Sequence, residues 1–86
     1  MNLAHDLQIE FALHAREHLA GMAWGKDGEP LRRAVADWLQ TRMPEAGAEL
    51  IERLARAHVL VESRSLRVDF DAIAAGLEQA QQLPPA

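Results

Sequence analysis

The segment VLVESRSLRVDF, Val59 to Phe70, decides the fold class, because the hydrophobic period of the chain changes within it. It opens with three consecutive apolar residues. Farther along, Leu66 and Val68 alternate with polar neighbours in the two-residue period of a half-buried strand, and the alternation continues to Phe70. The ESRS stretch between them, residues 62–65, is typical of a tight loop. The segment therefore predicts a two-stranded β-hairpin in a chain whose other patterns are helical.

Two predicted helices lead directly into this hairpin. Pro30 suits the first turn of a helix over about residues 31–42, because its fixed φ angle is helical and its missing N–H is not needed there. Pro44 ends that helix and can begin another, over about 44–57. The short link predicts that the two helices pack at a steep angle as a helix-turn-helix. Two helices followed by a hairpin is the order of a winged helix, so residues 31–70 are expected to form a winged-helix-like unit.

A long helix is predicted before this unit and a shorter one after it. Asn2 can cap the first helix, which is expected to run to about Trp24, because no strong breaker precedes the loop at residues 25–30. Asp69 or Asp71 is expected to cap the last helix. The chain is therefore predicted to be a single, mainly α domain, with a long N-terminal helix at 1–24, the winged-helix-like unit at 31–70, a C-terminal helix at 71–82 and a tail at 83–86.

The composition excludes several classes of function for this chain. Its 86 residues, 49% hydrophobic and 26% charged, are typical of one small globular domain. The absence of cysteine excludes a disulfide framework, a cysteine-ligated zinc site and a thiol nucleophile. No apolar run is long enough for a membrane span, and the acidic N-terminus lacks the basic region of a signal peptide. A cytoplasmic protein with no membrane contact is expected.

The first helix carries two of its histidines in the middle of its main apolar stripe. A hydrolytic zinc helix has glutamate directly after its first histidine, and here that position is Ala15. We therefore expect no metal and no cofactor, and we expect neutral histidines packed in the core or in an interface. Burial of this kind predicts stability that is full above about pH 6.5 and lost as the pH falls below it. On a helical wheel, the stripe consists of Leu7, Phe11, His14, His18 and Met22.

A second apolar face lies roughly opposite this stripe. A surface helix with one partner needs only one apolar stripe, so two stripes predict contacts on both sides. The domain core can cover one of them, and the other is expected to meet a second copy of the chain or another protein. The alternative is that the first helix is central in a compact monomer. Because two-fold dimers are the commonest oligomers, homodimerisation through this helix is expected. The second face consists of Ile9, Leu13, Ala20 and Trp24.

The charge distribution permits nucleic-acid binding without favouring it. The net charge is −4, although residues 30–68 carry seven arginines against five acidic residues. The third helix opens with Glu45 and Glu49, which would repel a phosphate backbone at the end of a recognition helix that contacts DNA. The candidate DNA-binding residues are Arg53, Arg56, Arg64 and Arg67.

Catalysis has little support in the sequence. There is no nucleophile elbow and no glycine-rich phosphate loop, so no catalytic residue and no small-molecule substrate are predicted. The sequence favours a small non-catalytic regulatory or adaptor module that works by protein–protein binding as a homodimer. The partner is expected to contact the free apolar face of the first helix or the edge of the hairpin. The alternative is a dimeric winged-helix regulator that binds DNA.

Overall fold

A computed structural model of the chain describes residues 2–22, 27–62 and 65–82. Over these residues the chain is mainly helical, with one antiparallel hairpin, as the sequence predicts at this level. The elements are α1 (Leu3–His18), α2 (Glu29–Arg42), a short 3-10 turn (Pro44–Ala46), α3 (Ala48–His58), β1 (Val59–Glu62), β2 (Ser65–Val68) and α4 (Phe70–Gln82). The predicted tail, residues 83–86, lies outside the described residues, as do the predicted loop positions 25 and 26.

The hairpin forms where the sequence predicted it, with Val59 opposite Val68 and Glu62 opposite Ser65. The prediction that Phe70 continues the second strand is wrong. The carboxylate of Asp69 accepts a hydrogen bond from the backbone N–H of Ala72 at 3.1 Å, so the strand gives way to a capped helix at that point. Phe70 is the first residue of α4 and is buried in the core.

The first helix is shorter than predicted. The side chain of Asn2 accepts a hydrogen bond from the His5 N–H at 3.2 Å, which confirms the predicted cap. At the other end α1 stops at His18, and a turn follows in which Gly21 has a φ angle of 82°. A left-handed backbone of this kind is accessible to glycine and unfavourable for other residues, so Gly21 suits the turn that follows the helix. The predicted end at Trp24 lies outside the described residues.

The second helix matches its prediction closely, and the third is divided. Helix α2 includes Pro30 in its first turn and ends at Arg42. The region predicted as one helix over 44–57 begins instead with the 3-10 turn, and Gly47 separates this turn from α3.

The core is apolar throughout the described residues, with no buried polar or charged side chain. Helix α1 packs chiefly against α4, while α2 packs against α3, which also contacts α4. Polar chemistry is therefore confined to the surface and to the grooves between helices. None of the described helices is long and apolar enough to cross a membrane. The least exposed core side chains are Leu7, Val35, Leu39, Ile51, Val59, Ile73 and Leu77.

Candidate functional site on helix α1

The core covers only the first half of the predicted stripe on α1. Leu7 is completely buried and Phe11 is 7% exposed, whereas His14 is half-buried and His18 and Met22 are exposed. The expectation that acid weakens folding depended on buried histidines. The chain's own core does not bury His18, whose side chain is 63% exposed, so for this residue the expectation requires burial in an interface.

An aromatic cluster joins α1 to α2 and α4 at Phe11, the last buried residue of the stripe. The ring of Phe11 lies 5.2 Å from Trp38 in an edge-on arrangement and 5.8 Å from Phe70, measured between centroids. Such pairs add to the burial energy of the rings. His14 lies at the border of the cluster, 6.2 Å from Phe11 and 6.4 Å from Trp38. The ring of His18 follows at 5.0 Å from that of His14.

An open groove of about 440 Å³ runs beside His14 between α1 and α2. At this groove the guanidinium of Arg42 donates to the carboxylate of Glu10, with Nε 3.1 Å from each oxygen and Nη2 3.1 Å from Oε2. The hydrogen bond to Glu10 raises the pKa of Arg42 above its ordinary value. The sequence did not indicate this pair, because its members are 32 residues apart. The groove is lined by His14, Asp37, Trp38, Thr41 and Arg42.

The two histidines of α1 form a dyad without a third metal ligand. No group of three histidine, cysteine, aspartate or glutamate side chains suited to a metal ion occurs within residues 2–22, 27–62 and 65–82. The carboxylate of Glu17 lies beside the dyad, with its Oε2 3.8 Å from His18 Nε2. A single chain therefore presents two imidazoles, and an ion bound to them would have open coordination positions.

The second predicted face of α1 is directed away from the core. Ile9 is 46% exposed and Leu13 is 50% exposed, and they lie one helical turn apart. Ala20 is also exposed and follows the end of α1, and Trp24 lies outside the described residues. The structure thus keeps two large apolar side chains of this face together on the surface.

The candidate DNA-binding arginines do not share one environment. Arg67 Nε donates to Glu62 Oε1 at 3.0 Å, so its charge is paired within the hairpin. Arg56 lies in a groove between α2 and α3 that is lined by residues of both charges. The acidic residues of this groove are Glu29, Asp37 and Glu52, and its other arginines are Arg32 and Arg33. Arg53 is exposed on α3, and Arg64 lies outside the described residues.

Comparison with protein-family models, with curated proteins and with solved structures gave no match for this chain. The functional assignment therefore depends on the two surfaces of α1: the outward face with Ile9 and Leu13, and the exposed end with His14 and His18.

Proposed function

We propose that this protein is a small non-catalytic regulatory or adaptor module of the cytoplasm that acts by binding other proteins and works as a homodimer. The observation that carries the proposal is the joint exposure of Ile9 and Leu13 on the outward face of α1. Single exposed apolar residues are ordinary on protein surfaces. Two large ones in adjacent turns, with the exposed Ala12 beside Ile9, form one apolar strip, and this strip is the proposed contact site.

The size of this strip indicates a transient contact with another protein. Stable interfaces bury about 800 Å² on each partner, and one side of a 16-residue helix supplies less than that. An amphipathic helix of the partner is the occupant that suits the strip, because its own apolar residues recur with the spacing of Ile9 and Leu13. Arg16 and Glu17 on the same helix carry opposite charges, so the partner need not be strongly acidic or basic.

The test is affinity purification from the native host with the partner identified by mass spectrometry. We expect the wild-type chain to recover a defined protein and the Ile9→Glu/Leu13→Glu variant to lose it. Gln8→Glu is the matched control, because it adds negative charge to an exposed position elsewhere on α1. Circular dichroism should show the same helix content in all three proteins. Retention of the partner by the double variant, or recovery of nucleic acid alone, would contradict the proposal.

The second candidate is a dimeric DNA-binding regulator in which α2, α3 and the hairpin act as a winged helix. The observation that favours it is the order of these elements, with the hairpin following directly after α3. DNA binding requires an affinity that falls steeply with salt, because bound arginines release counterions from the phosphates. Fluorescence anisotropy with duplex DNA at several salt concentrations tests this, and Arg53→Ala combined with Arg56→Ala should weaken binding.

A further inference from the structure

The exposed end of α1 carries two histidines, His14 and His18, close together. Neither ring takes part in a hydrogen bond within the part of the chain that the structure describes. The two side chains are four residues apart in a regular helix, so they project from the same side. Their ring centres are 5.0 Å apart.

This separation suits the binding of one metal ion by both rings. With zinc–nitrogen bonds of about 2.0–2.1 Å, the centre of each imidazole lies about 3.2 Å from the ion, and two rings at a tetrahedral angle then have centres about 5 Å apart. Neutral imidazole is a preferred ligand of zinc, copper and nickel. The dyad therefore has the spacing of two of the four ligands in a tetrahedral site.

We propose that two copies of this chain pair around one divalent transition-metal ion, to which each copy contributes His14 and His18. The site is incomplete in one chain, because the described residues offer no third ligand. A two-fold axis through the ion supplies the missing two imidazoles and completes a tetrahedral set of four nitrogens. The inference concerns the self-pairing part of the proposed function and does not depend on the outward face of α1.

The surroundings of the dyad are accessible to a second copy. The His18 side chain is 63% exposed, and Met22, just beyond the end of the helix, is 47% exposed. No other described element covers this end of α1, as the exposure of both residues shows. A second chain can therefore approach the histidines without displacing part of the core.

The charges near the dyad also favour a cation. The Glu17 carboxylate, 3.8 Å from His18 Nε2, adds negative charge beside the dyad. The charge of Arg42, in the groove beside His14, is compensated by Glu10. Each chain carries a net charge of −4, so two copies repel each other, and a divalent cation between them reduces that repulsion.

The metal-bridged contact leaves the proposed partner face free. At about 100° per residue, the His14/His18 side of α1 and the Ile9/Leu13 side are separated by about 140° around the helix axis. A pair of chains joined through the histidines therefore presents two outward faces, one on each copy.

The test uses the full chain, free of any polyhistidine tag and first treated with a chelator. Sedimentation velocity follows the mass as zinc chloride is added, and isothermal titration calorimetry gives the stoichiometry. We expect the 9.5 kDa chain to become a dimer with one zinc ion per two chains. His18→Ala should weaken zinc-dependent pairing at least about tenfold, since even the loss of an outer-shell partner costs that much.

Matched variants show whether the pairing depends on the dyad itself. His5→Ala removes an exposed histidine on the same helix and should leave the pairing intact. The Ile9→Glu/Leu13→Glu variant should also pair normally, so failure of the partner-face proposal is distinguishable from failure of this one. The proposal is overturned if the chelated protein is already dimeric, if zinc binds at one ion per chain without a change in mass, or if His18→Ala pairs as the wild type does.

Discussion

Gly28, directly before α2, is a position where a single residue type is required. Its φ angle is 74°, and it is buried beneath the hairpin. A Cβ atom at this position would lie 3.2 Å from a methyl carbon of Leu66 and 3.2 Å from one of Val61. The positive φ angle disfavours other residue types by backbone strain. A Cβ atom here would also require the side chains of Leu66 and Val61 to move by a few tenths of an ångström.

Gly28→Ala should destabilise the protein by about 2 kcal/mol or more, because left-handed strain of about 1–2 kcal/mol adds to overpacking of about 1 kcal/mol. Gly21→Ala is the control, since Gly21 has a similar φ angle of 82° with nothing within 4 Å of the added Cβ. Urea denaturation followed by circular dichroism measures both variants. Equal losses of stability would show that the hairpin does not press on Gly28.

At the scale of the element, α4 shows how a cap decides between strand and helix. The alternating pattern of β2 would extend through Phe70, yet the Asp69 carboxylate accepts the N–H of Ala72 and begins a helix. Asp71, the other predicted cap, lies within the first turn of α4. One side-chain hydrogen bond to an otherwise unpaired helix N–H thus sets the boundary.

Asp69→Ala should lower the free energy of unfolding by about 1 kcal/mol, the usual cost of losing a capping side chain. Asp71→Ala should cost about 0.5 kcal/mol or less, because Asp71 contributes only through its favourable position at the helix N-terminus. Thermal and urea unfolding of the two variants measure both losses of stability. A larger loss for Asp71→Ala would assign the cap to that residue instead.

At the scale of the whole molecule, α1 is divided into covered and uncovered surfaces by the elements packed against it. Helix α4 packs against α1, and the rings of Trp38 and Phe70 contact that of Phe11, whereas Ile9, Leu13 and His18 lie at the surface. The buried residues hold the domain together. The exposed ones form the surfaces that we propose for binding.

This division predicts opposite outcomes for two neighbouring apolar residues of α1. Phe11→Ala should cost about 3–5 kcal/mol, because it leaves a cavity in the aromatic cluster. Leu13→Ala should change the stability by no more than about 0.5 kcal/mol, since Leu13 is half exposed. Chemical denaturation of both variants provides the comparison. A large loss of stability for Leu13→Ala would mean that this residue belongs to the fold and would weaken its proposed role in binding.

The amino-acid sequence by itself determined helix α2, the hairpin and the cap at Asn2, and it narrowed the cap of α4 to Asp69 or Asp71. These features are set by residues close together in the chain. The local causes are the hydrophobic period, the fixed φ angle of proline and hydrogen bonds from nearby backbone N–H groups to capping side chains. The same local reasoning placed the end of α1 too far along the chain and continued the second strand into Phe70.

Only the tertiary structure decided which parts of the two apolar faces of α1 are covered. That choice depends on contacts between residues far apart in sequence, such as Phe11 with Trp38 and Glu10 with Arg42. The helical period predicts which side chains share a face of α1. It does not predict how much of the length of α1 is covered by the other helices. His14 and His18 end up as an open pair because α4 and α2 cover the stripe only as far as Phe11 and part of His14.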